Sequence, residues 1–232
     1  MGLVLALLIT GLWGGHLAYI LTSVEVAWSN PWMYLHILIQ AYLYTGLFIT
    51  GHDAMHQTVS KNKRINQAIG TAAVFLFAGM SYQRLIKNHW EHHKYPASEK
   101  DPDFYVRSQN FFAWWFMFMV RYTTLWQLIA MGVIFNLLYH LAGVGAPSLV
   151  VFWIIPAFMG TFQLFYFGTF LPHRKPHTEA MGKHRARTLK RNHLWAMLSC
   201  YFFGYHNEHH LYPGVPWWRL YQVKDKSNSN DY

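Results

Sequence analysis

The chain has 232 residues, of which 53% are hydrophobic and 19% are aromatic, and its formal net charge at pH 7 is +9. This length fits one domain or one compact membrane unit. The single cysteine, Cys200, excludes an intrachain disulfide and a metal site built from thiolates. The positive charge does not indicate a nucleic-acid partner, because all 19 Lys and Arg fall within residues 61–121 and 174–226.

Long apolar blocks, nearly free of charge, predict membrane spans. A spanning helix needs about 20 mainly apolar residues, and residues 1–22 carry no charge at all. This first block lacks a basic start and a small-residue cleavage site, so we expect a retained helix rather than a cleaved signal. In chain order we predict four spans, at residues 3–22, 32–50, 124–142 and 148–170.

The remaining segments are shorter or more polar. Residues 68–80 are apolar but short for a span, which favours a re-entrant or interfacial segment. Residues 110–120 are rich in aromatic side chains, which favours the headgroup boundary, with an ordinary buried helix as the alternative. The polar residues 224–232 are typical of a disordered tail. We expect one domain over residues 1–232 and no soluble second domain.

The distribution of basic residues predicts the orientation. The links at residues 23–30 and 143–147 contain no Lys or Arg, and cytoplasmic loops carry the excess of these residues. Both basic stretches and both termini are therefore expected on the cytoplasmic side. The predicted fold is an all-α, multi-pass integral membrane protein with four spanning helices and a cytoplasmic helical cap.

Three tight histidine clusters lie within this predicted cap. Residues three or four apart share one face of a helix, so each cluster can present its imidazoles together. The same spacing places two histidines on one metal ion in zinc-binding helices. The clusters are His52 and His56; His89, His92 and His93; and His206, His209 and His210.

Two of the clusters repeat one octapeptide. HWEHHKYP at 89–96 and HNEHHLYP at 206–213 agree at six of eight positions. An ion takes about four to six ligands, so eight imidazoles indicate a dinuclear site. Imidazole suits zinc, copper, iron and nickel, so spacing alone leaves the metal open. Structural histidines and a pH-sensing surface are the alternatives, and neither accounts for the repeat.

Three carboxylates stand beside these histidines in the sequence. Metal-bound imidazoles usually donate their second N–H to a carboxylate or carbonyl, which fixes the ring. Asp53, Glu91 and Glu208 are the candidates for this supporting role, with solvated surface acids as the alternative.

The HxxxH, HxxHH and HxxHH motifs together resemble the membrane fatty-acid desaturase and hydroxylase superfamily over essentially the whole chain. Within it, HDAMH at 52–56, FGTFLPHR at 167–174 and NEHHLYPGVPWW at 207–218 resemble the bacterial and cyanobacterial β-carotene ketolases. The resemblance implies two histidine-bound Fe²⁺ ions and O₂ as co-substrate. It also implies oxidation of the C4 and C4′ methylenes of β-ionone rings, from β-carotene to echinenone and canthaxanthin.

The resemblance also implies a ninth ligand near the end of the last span, for which His173 is the best match and His177 the competitor. It further implies an external electron donor, such as a ferredoxin or a flavin reductase, since the chain has no GxGxxG or CxxC motif. The basic residues Arg185, Arg187, Lys190 and Arg191 would dock an acidic donor or mark topology and lipid headgroups.

Several alternatives stay open at this point. Within the superfamily they are a carotenoid β-ring hydroxylase and a membrane acyl-lipid desaturase. Outside it they are a bis-histidine haem cytochrome and a metal transporter, whose ligands would lie within the membrane at His16 and His36. Acceptance of hydroxylated rings such as those of zeaxanthin, mono- against diketolation and the oligomeric state also stay open.

Overall fold

The structure is a computed structural model that describes the backbone of residues 1–190 and 192–229 and, within these ranges, the side chains up to residue 226. The described residues form helices and connecting loops, and they contain no strand. The helices are α1 (Gly2–Ser23), α2 (Pro31–Met55), α3 (Lys63–Ala78), α4 (Tyr82–Lys94), α5 (Phe111–Tyr122), α6 (Leu125–His140), α7 (Ala146–His173), α8 (His193–Cys200), α9 (His206–Leu211) and α10 (Leu220–Ser229).

Three helices are long and apolar enough to cross a membrane: α1, α2 and α7. They match the first, second and fourth predicted spans. Asn30 begins α2 by accepting a hydrogen bond from the backbone N–H of Trp32. Helix α7 continues through two short π-helical segments, Val150–Ile154 and Tyr166–Phe170, with residues 155–165 in α-helical conformation between them. Helix α2 is the centre of the fold, because it packs against α1, α3 and α7.

The predicted third span is shorter in the structure than the sequence indicates. Helix α6 has 16 residues, about 24 Å at 1.5 Å per residue, against a hydrocarbon core of about 30 Å. It follows α5 across a bend of 84°, and Thr124 caps its first turn by accepting from the N–H of Gln127. Helices α3 and α4 form a second bent pair, at 98°. The third predicted span, at residues 124–142, and with it the total of four spans, therefore stays a prediction.

Close packing of α2 against α3 depends on small residues. A Cβ added to Gly51 would lie 2.4 Å from Cγ1 of Val74, and one added to Gly70 would lie 2.8 Å from Cβ of Ala54 and 2.4 Å from Cε2 of Tyr82. Such a contact forces neighbouring atoms to move. The two glycines therefore set the distance between α2 and the α3–α4 pair.

We expect Gly70→Ala to destabilise the protein by about 1–3 kcal/mol, since the added methyl overpacks the contact with Ala54 and Tyr82. The measurement is the midpoint of thermal unfolding in detergent. Gly132→Ala is the matched control, because no atom lies within 4 Å of its added Cβ and alanine favours a helix over glycine by about 0.5–1 kcal/mol. Equal midpoints for the two variants would contradict the close-packing interpretation.

The C-terminal segment folds back over the end of α2. Helix α10 continues to Ser229, which differs from the expected disorder of residues 224–229. Two contacts hold this helix: Lys224 Nζ lies 3.5 Å from Glu208 Oε1, and Asp225 Oδ1 lies 3.0 Å from His193 Nε2. Residues 230–232 of the predicted tail lie outside the described residues.

Candidate metal centre

The histidine clusters meet at one end of the long helices. His52 and His56 end α2, and His173 ends α7. The start of α1 lies at the same end, because a Cβ added to Gly2 would approach the Val59 carbonyl oxygen to 2.6 Å. Helices α4 and α9 carry the other two clusters to this end of the molecule.

The structure gathers eight imidazoles into two groups of four. Within each group, one ligand nitrogen from every histidine lies within 4.8 Å of the others, and most of the side chains are buried. Group 1 consists of His52, His56, His89 and His209, and group 2 of His92, His173, His206 and His210.

The groups do not coincide with the sequence clusters. Helix α4 contributes His89 to group 1 and His92 to group 2. Helix α9 contributes His209 to group 1 and His210 to group 2. Adjacent residues such as His209 and His210 point about 100° apart on a helix. His89 and His92 share one face but lie about 4.5 Å apart along the helix axis, so one cluster can serve two centres. His93 lies between the groups: its Nε2 is 3.0 Å from Nε2 of His209 in group 1, and its ring is 4.3 Å from that of His210 in group 2.

Hydrogen bonds fix the tautomer of two of these rings. The Nδ1–H of His92 donates to Asp101, whose two carboxylate oxygens both lie 3.0 Å away. The Nδ1–H of His173 donates to the Arg185 carbonyl oxygen at 3.0 Å. In each ring Nε2 is then the free nitrogen, and it faces the other histidines. This is the orientation that metal-binding histidines usually have.

The donor set fits metal ions. Nε2 atoms lie 2.6 Å apart between His56 and His89, and 3.1 Å apart between His92 and His210. Two ligand nitrogens at right angles on one ion, each about 2.1 Å from it, lie about 3 Å apart. Buried nitrogens without a hydrogen-bond partner, which ordinary folding avoids, include Nε2 of His52 and of His173.

Burial also keeps five of the six imidazoles of α4 and α9 in the neutral form that binds metal. Burial, together with the neighbouring histidines, holds the pKa of His89, His206, His209 and His210 well below the usual range. The same causes lower the pKa of His93 to about 2. His92 differs: burial lowers its pKa, but the Asp101 carboxylate outweighs burial and raises the pKa to about 9.

The carboxylates predicted from the sequence are placed unequally. Asp53 is buried, with Oδ1 3.7 Å from Nδ1 of His52, and it accepts a hydrogen bond from the Trp217 N–H. Glu208 is buried, and its Oε1 lies 3.5 Å from Nζ of Lys224. Glu91 is half-exposed, and no contact with a histidine is described for it.

Sequence reasoning missed the carboxylate that pairs with His92, namely Asp101. This buried side chain also accepts from the backbone N–H groups of Ala97 and Asp103. The turn after α4 brings Asp101 back beneath the helix, and Asp103 follows it with Oδ2 3.8 Å from Nδ1 of His92. The only signal in the sequence is the pair of acids in DPDF at 101–104, soon after the second histidine cluster.

Other histidines lie outside the two groups. His177 donates from Nε2 to the His173 carbonyl oxygen at 2.9 Å, and its ring packs beside Phe104. His184 is half-buried, with its ring 5.4 Å from that of His210. His16 and His36 pair within the α1–α2 contact, at 3.1 Å between Nε2 and Nδ1.

A largely apolar cavity of about 280 Å³ leads to the histidines. Four histidines lie along it: His52 and His89 from group 1, and His92 and His206 from group 2. The breaks of both bent pairs contribute to the wall, and so does one side of α7. The apolar wall residues include Phe48, Leu85, Phe118, Met131, Trp153 and Ala157, and the polar ones include Asp103, Tyr122, Gln127, Thr161 and Thr169.

Helices of spanning length, with two groups of four histidines at one end, define a helical membrane protein equipped to bind metal ions through imidazole. Residues 29–132 and 121–231 match the sequence profile of fatty acid desaturases. The chain therefore belongs to the fatty acid desaturase family. No solved structure matches the chain.

The similar curated proteins include ketolases. The chain is 38% identical to a zeaxanthin 4-ketolase of Chlamydomonas reinhardtii, over 94% of this chain and 52% of that protein. It is 37% identical to β-carotene 4-ketolase 3 of Haematococcus lacustris, over 80% and 61%. It is 39% identical to a β-carotene ketolase of Paracoccus sp. (strain PC1), over 77% and 74%. The chain thus spans little more than half the length of the two algal relatives.

Proposed function

We propose that this protein is a carotenoid ketolase that oxidises the C4 and C4′ methylenes of β-ionone rings, converting β-carotene to echinenone and canthaxanthin. The observation that carries the proposal is the apolar cavity that ends on both histidine groups. A hydrocarbon ring has no polar handle, so an apolar wall is the surface suited to bind it. The named activities of the similar curated proteins support the same reaction.

The nine histidines would hold two iron ions, with groups 1 and 2 taking one ion each and His93 standing between them. When bound, iron would supply the oxygen activation that oxidation of an unactivated C–H bond requires. Asp101 would hold the ring of His92 in the tautomer with a free Nε2. This donor set contains no thiolate, which favours the oxygen chemistry of iron over a soft-metal site.

The remaining wall residues would position the ring and exclude water. Phe118, Trp153 and Leu85 supply apolar contact near the histidines. Asp103, which accepts a hydrogen bond from the Tyr122 hydroxyl, is the acid on the wall, and burial raises its pKa to about 6. Two successive oxidations at C4 would give an alcohol and then a gem-diol, which loses water to form the ketone. Each oxidation consumes one O₂, two electrons and two protons.

The topology belongs to the same proposal. We place both termini and the histidine groups on the cytoplasmic side of a four-span protein, because the basic stretches fall at the histidine end. The polyene would then enter the cavity from the bilayer, and electrons would come from a partner protein in the cytoplasm.

Among the alternatives, a β-ring hydroxylase would stop at the alcohol, and an acyl-lipid desaturase would take a linear chain into the same cavity. The haem alternative has little support, since eight histidines form two compact groups of four rather than facing each other in pairs across a haem. Thr161, Thr169 and Gln127 on the cavity wall favour acceptance of hydroxylated rings such as those of zeaxanthin, because they can hydrogen-bond a ring hydroxyl.

Pigment analysis tests the proposal. Bacterial cells that accumulate β-carotene would express the chain, beside a variant with His92→Ala and His209→Ala. We expect 4-keto carotenoids with the intact chain and none with the variant. Hydroxylated pigment alone would move the assignment to the hydroxylase. Unchanged β-carotene in cells that contain folded, iron-loaded protein would overturn the proposal.

Filling the cavity should block product formation without loss of metal. We expect Ala157→Phe to lower the yield of keto carotenoid by about tenfold or more, because a ring displaced by even 1 Å reacts far more slowly. The readouts are pigment yield and iron content. Val150→Phe is the control, since Val150 lies on α7 with 42% exposure and away from the cavity. Equal pigment yields in the two variants would remove this cavity from the mechanism.

A further inference from the structure

Helix α4 exposes an aromatic side chain that touches the metal-site histidines. Trp90 is 46% exposed. Its ring centroid lies 5.2 Å from that of His56, 5.6 Å from His93 and 6.2 Å from His89. Nothing in the proposed ring oxidation uses this side chain, and it does not line the cavity. Trp90 therefore connects the outer surface to group 1 by direct contact.

Comparison of the two copies of the octapeptide indicates that metal binding does not require a tryptophan at position 90. The copies at 89–96 and 206–213 differ only where Trp90 corresponds to Asn207 and Lys94 corresponds to Leu211. Each copy supplies histidines to both groups. A tryptophan and a lysine at these two positions are therefore not needed to hold the ions, and they give α4 a surface that α9 does not have.

Basic side chains surround Trp90. Lys87, Trp90 and Lys94 are spaced by three and four residues, which places them on one face of α4, and all three are exposed. The ammonium groups of Lys94 and Lys100 lie 5.0 Å and 5.3 Å from the centroid of the Tyr95 ring, which extends the basic region beyond the helix. We call Lys87, Trp90, Lys94 and Lys100 the Trp90 surface.

Two of the four basic residues that the sequence proposes for docking have other bonds in the structure. Arg185 donates to the Ala97 carbonyl oxygen at 3.1 Å. Arg187 donates to the carbonyl oxygens of Arg174 and Pro176. These two arginines hold the segment after α7 in place, and Arg191 lies outside the described residues. Lys190 is exposed, but it lies on that segment, whereas Lys87 and Lys94 are exposed on the same helix as Trp90 and the histidines that it contacts.

We propose that the Trp90 surface docks an acidic one-electron carrier protein of the iron–sulfur type, and that the Trp90 ring is the route by which electrons reach the histidine-bound centre. The inference rests on the proposed function, which requires external electrons. In each transfer the carrier loses one electron and the centre gains one, and no covalent bond forms or breaks. Two transfers, with two protons from water, serve each O₂ consumed. The lysines provide charge complementarity, which guides docking and orientation.

The first experiment measures docking. The full chain in phosphatidylcholine nanodiscs is titrated with an acidic [2Fe–2S] ferredoxin at low and at physiological salt. We expect Lys87→Glu with Lys94→Glu to weaken binding by about tenfold at low salt and to remove most of its salt dependence. Lys61→Glu with Lys63→Glu is the matched control, because it reverses two exposed lysines at the start of α3, outside the Trp90 surface, and makes the same change in net charge.

The second experiment measures electron entry. The oxidised, iron-loaded protein is mixed rapidly with reduced ferredoxin, or with dithionite, and reduction is followed optically. We expect Trp90→Leu to slow reduction by bound ferredoxin by about tenfold, Trp90→Phe to slow it less, and dithionite reduction to stay unchanged, because a small reductant does not depend on docking. Trp195→Leu, which removes another exposed tryptophan, should match the parent protein.

Two results would overturn the proposal. They are equal ferredoxin binding by the two double-lysine variants, and equal slowing of ferredoxin and dithionite reduction by Trp90→Leu. Neither experiment contains a carotenoid, so a failure of docking is distinguishable from a failure of the ketolase assignment.

Discussion

His56→Ala and His210→Ala are each expected to abolish formation of keto carotenoid. Each variant removes an imidazole from one group, His56 from group 1 and His210 from group 2. A loss of about 100-fold or more is expected, because even residues that only support metal ligands account for about 10–100-fold. Iron content, measured by mass spectrometry on purified protein, should fall in both variants, since each leaves one ion short of a ligand.

His173→Ala and His177→Ala form a matched pair for the same measurement. His173 belongs to group 2, and His177 donates to a backbone carbonyl outside both groups. His173→Ala should therefore lose iron and activity, and His177→Ala should keep most of both. Retention of iron and activity in His56→Ala, His173→Ala and His210→Ala alike would refute the two-group centre.

Asp101→Asn is expected to weaken iron binding by about 10–100-fold, the usual effect of replacing a residue that orients a metal-binding histidine. Asp101 has two carboxylate oxygens that accept hydrogen bonds from the N–H groups of His92, Ala97 and Asp103, whereas asparagine would offer these three donors one oxygen. It would also remove the charge that favours donation from His92 Nδ1. Competition with a chelator measures the affinity, and the thermal unfolding midpoint separates this effect from a general loss of stability.

Two exposed or half-exposed acids provide controls for Asp101. Glu99→Gln changes an exposed carboxylate in the same turn, and Glu91→Gln changes the half-exposed acid that the motif alone suggested. Both should bind iron about as well as the parent protein. Weaker iron binding in Glu91→Gln than in Asp101→Asn would restore the role that the sequence assigns to Glu91 and contradict the geometry.

Much of the helical architecture follows from local sequence. Runs of about 20 apolar residues predicted α1, α2 and α7, because a chain in lipid must satisfy its backbone hydrogen bonds within each segment. Helix α6 starts where the sequence predicts but ends at His140, two residues before the predicted end, and hydropathy does not register the 84° bend that precedes it. Such bends decide whether two consecutive helices form one membrane span or a re-entrant loop.

The sequence by itself determined which residue types form the candidate centre. Histidines three and four apart must share a helical region, and two copies of one octapeptide already indicated a pair of ions. Only the tertiary structure decided how the imidazoles divide, that His93 stands between the groups and that Asp101 rather than Glu91 meets His92. Helical periodicity fixes the direction of a side chain relative to its own helix. The partner that it meets depends on how α2, α4, α7 and α9 pack, and no local pattern encodes that packing.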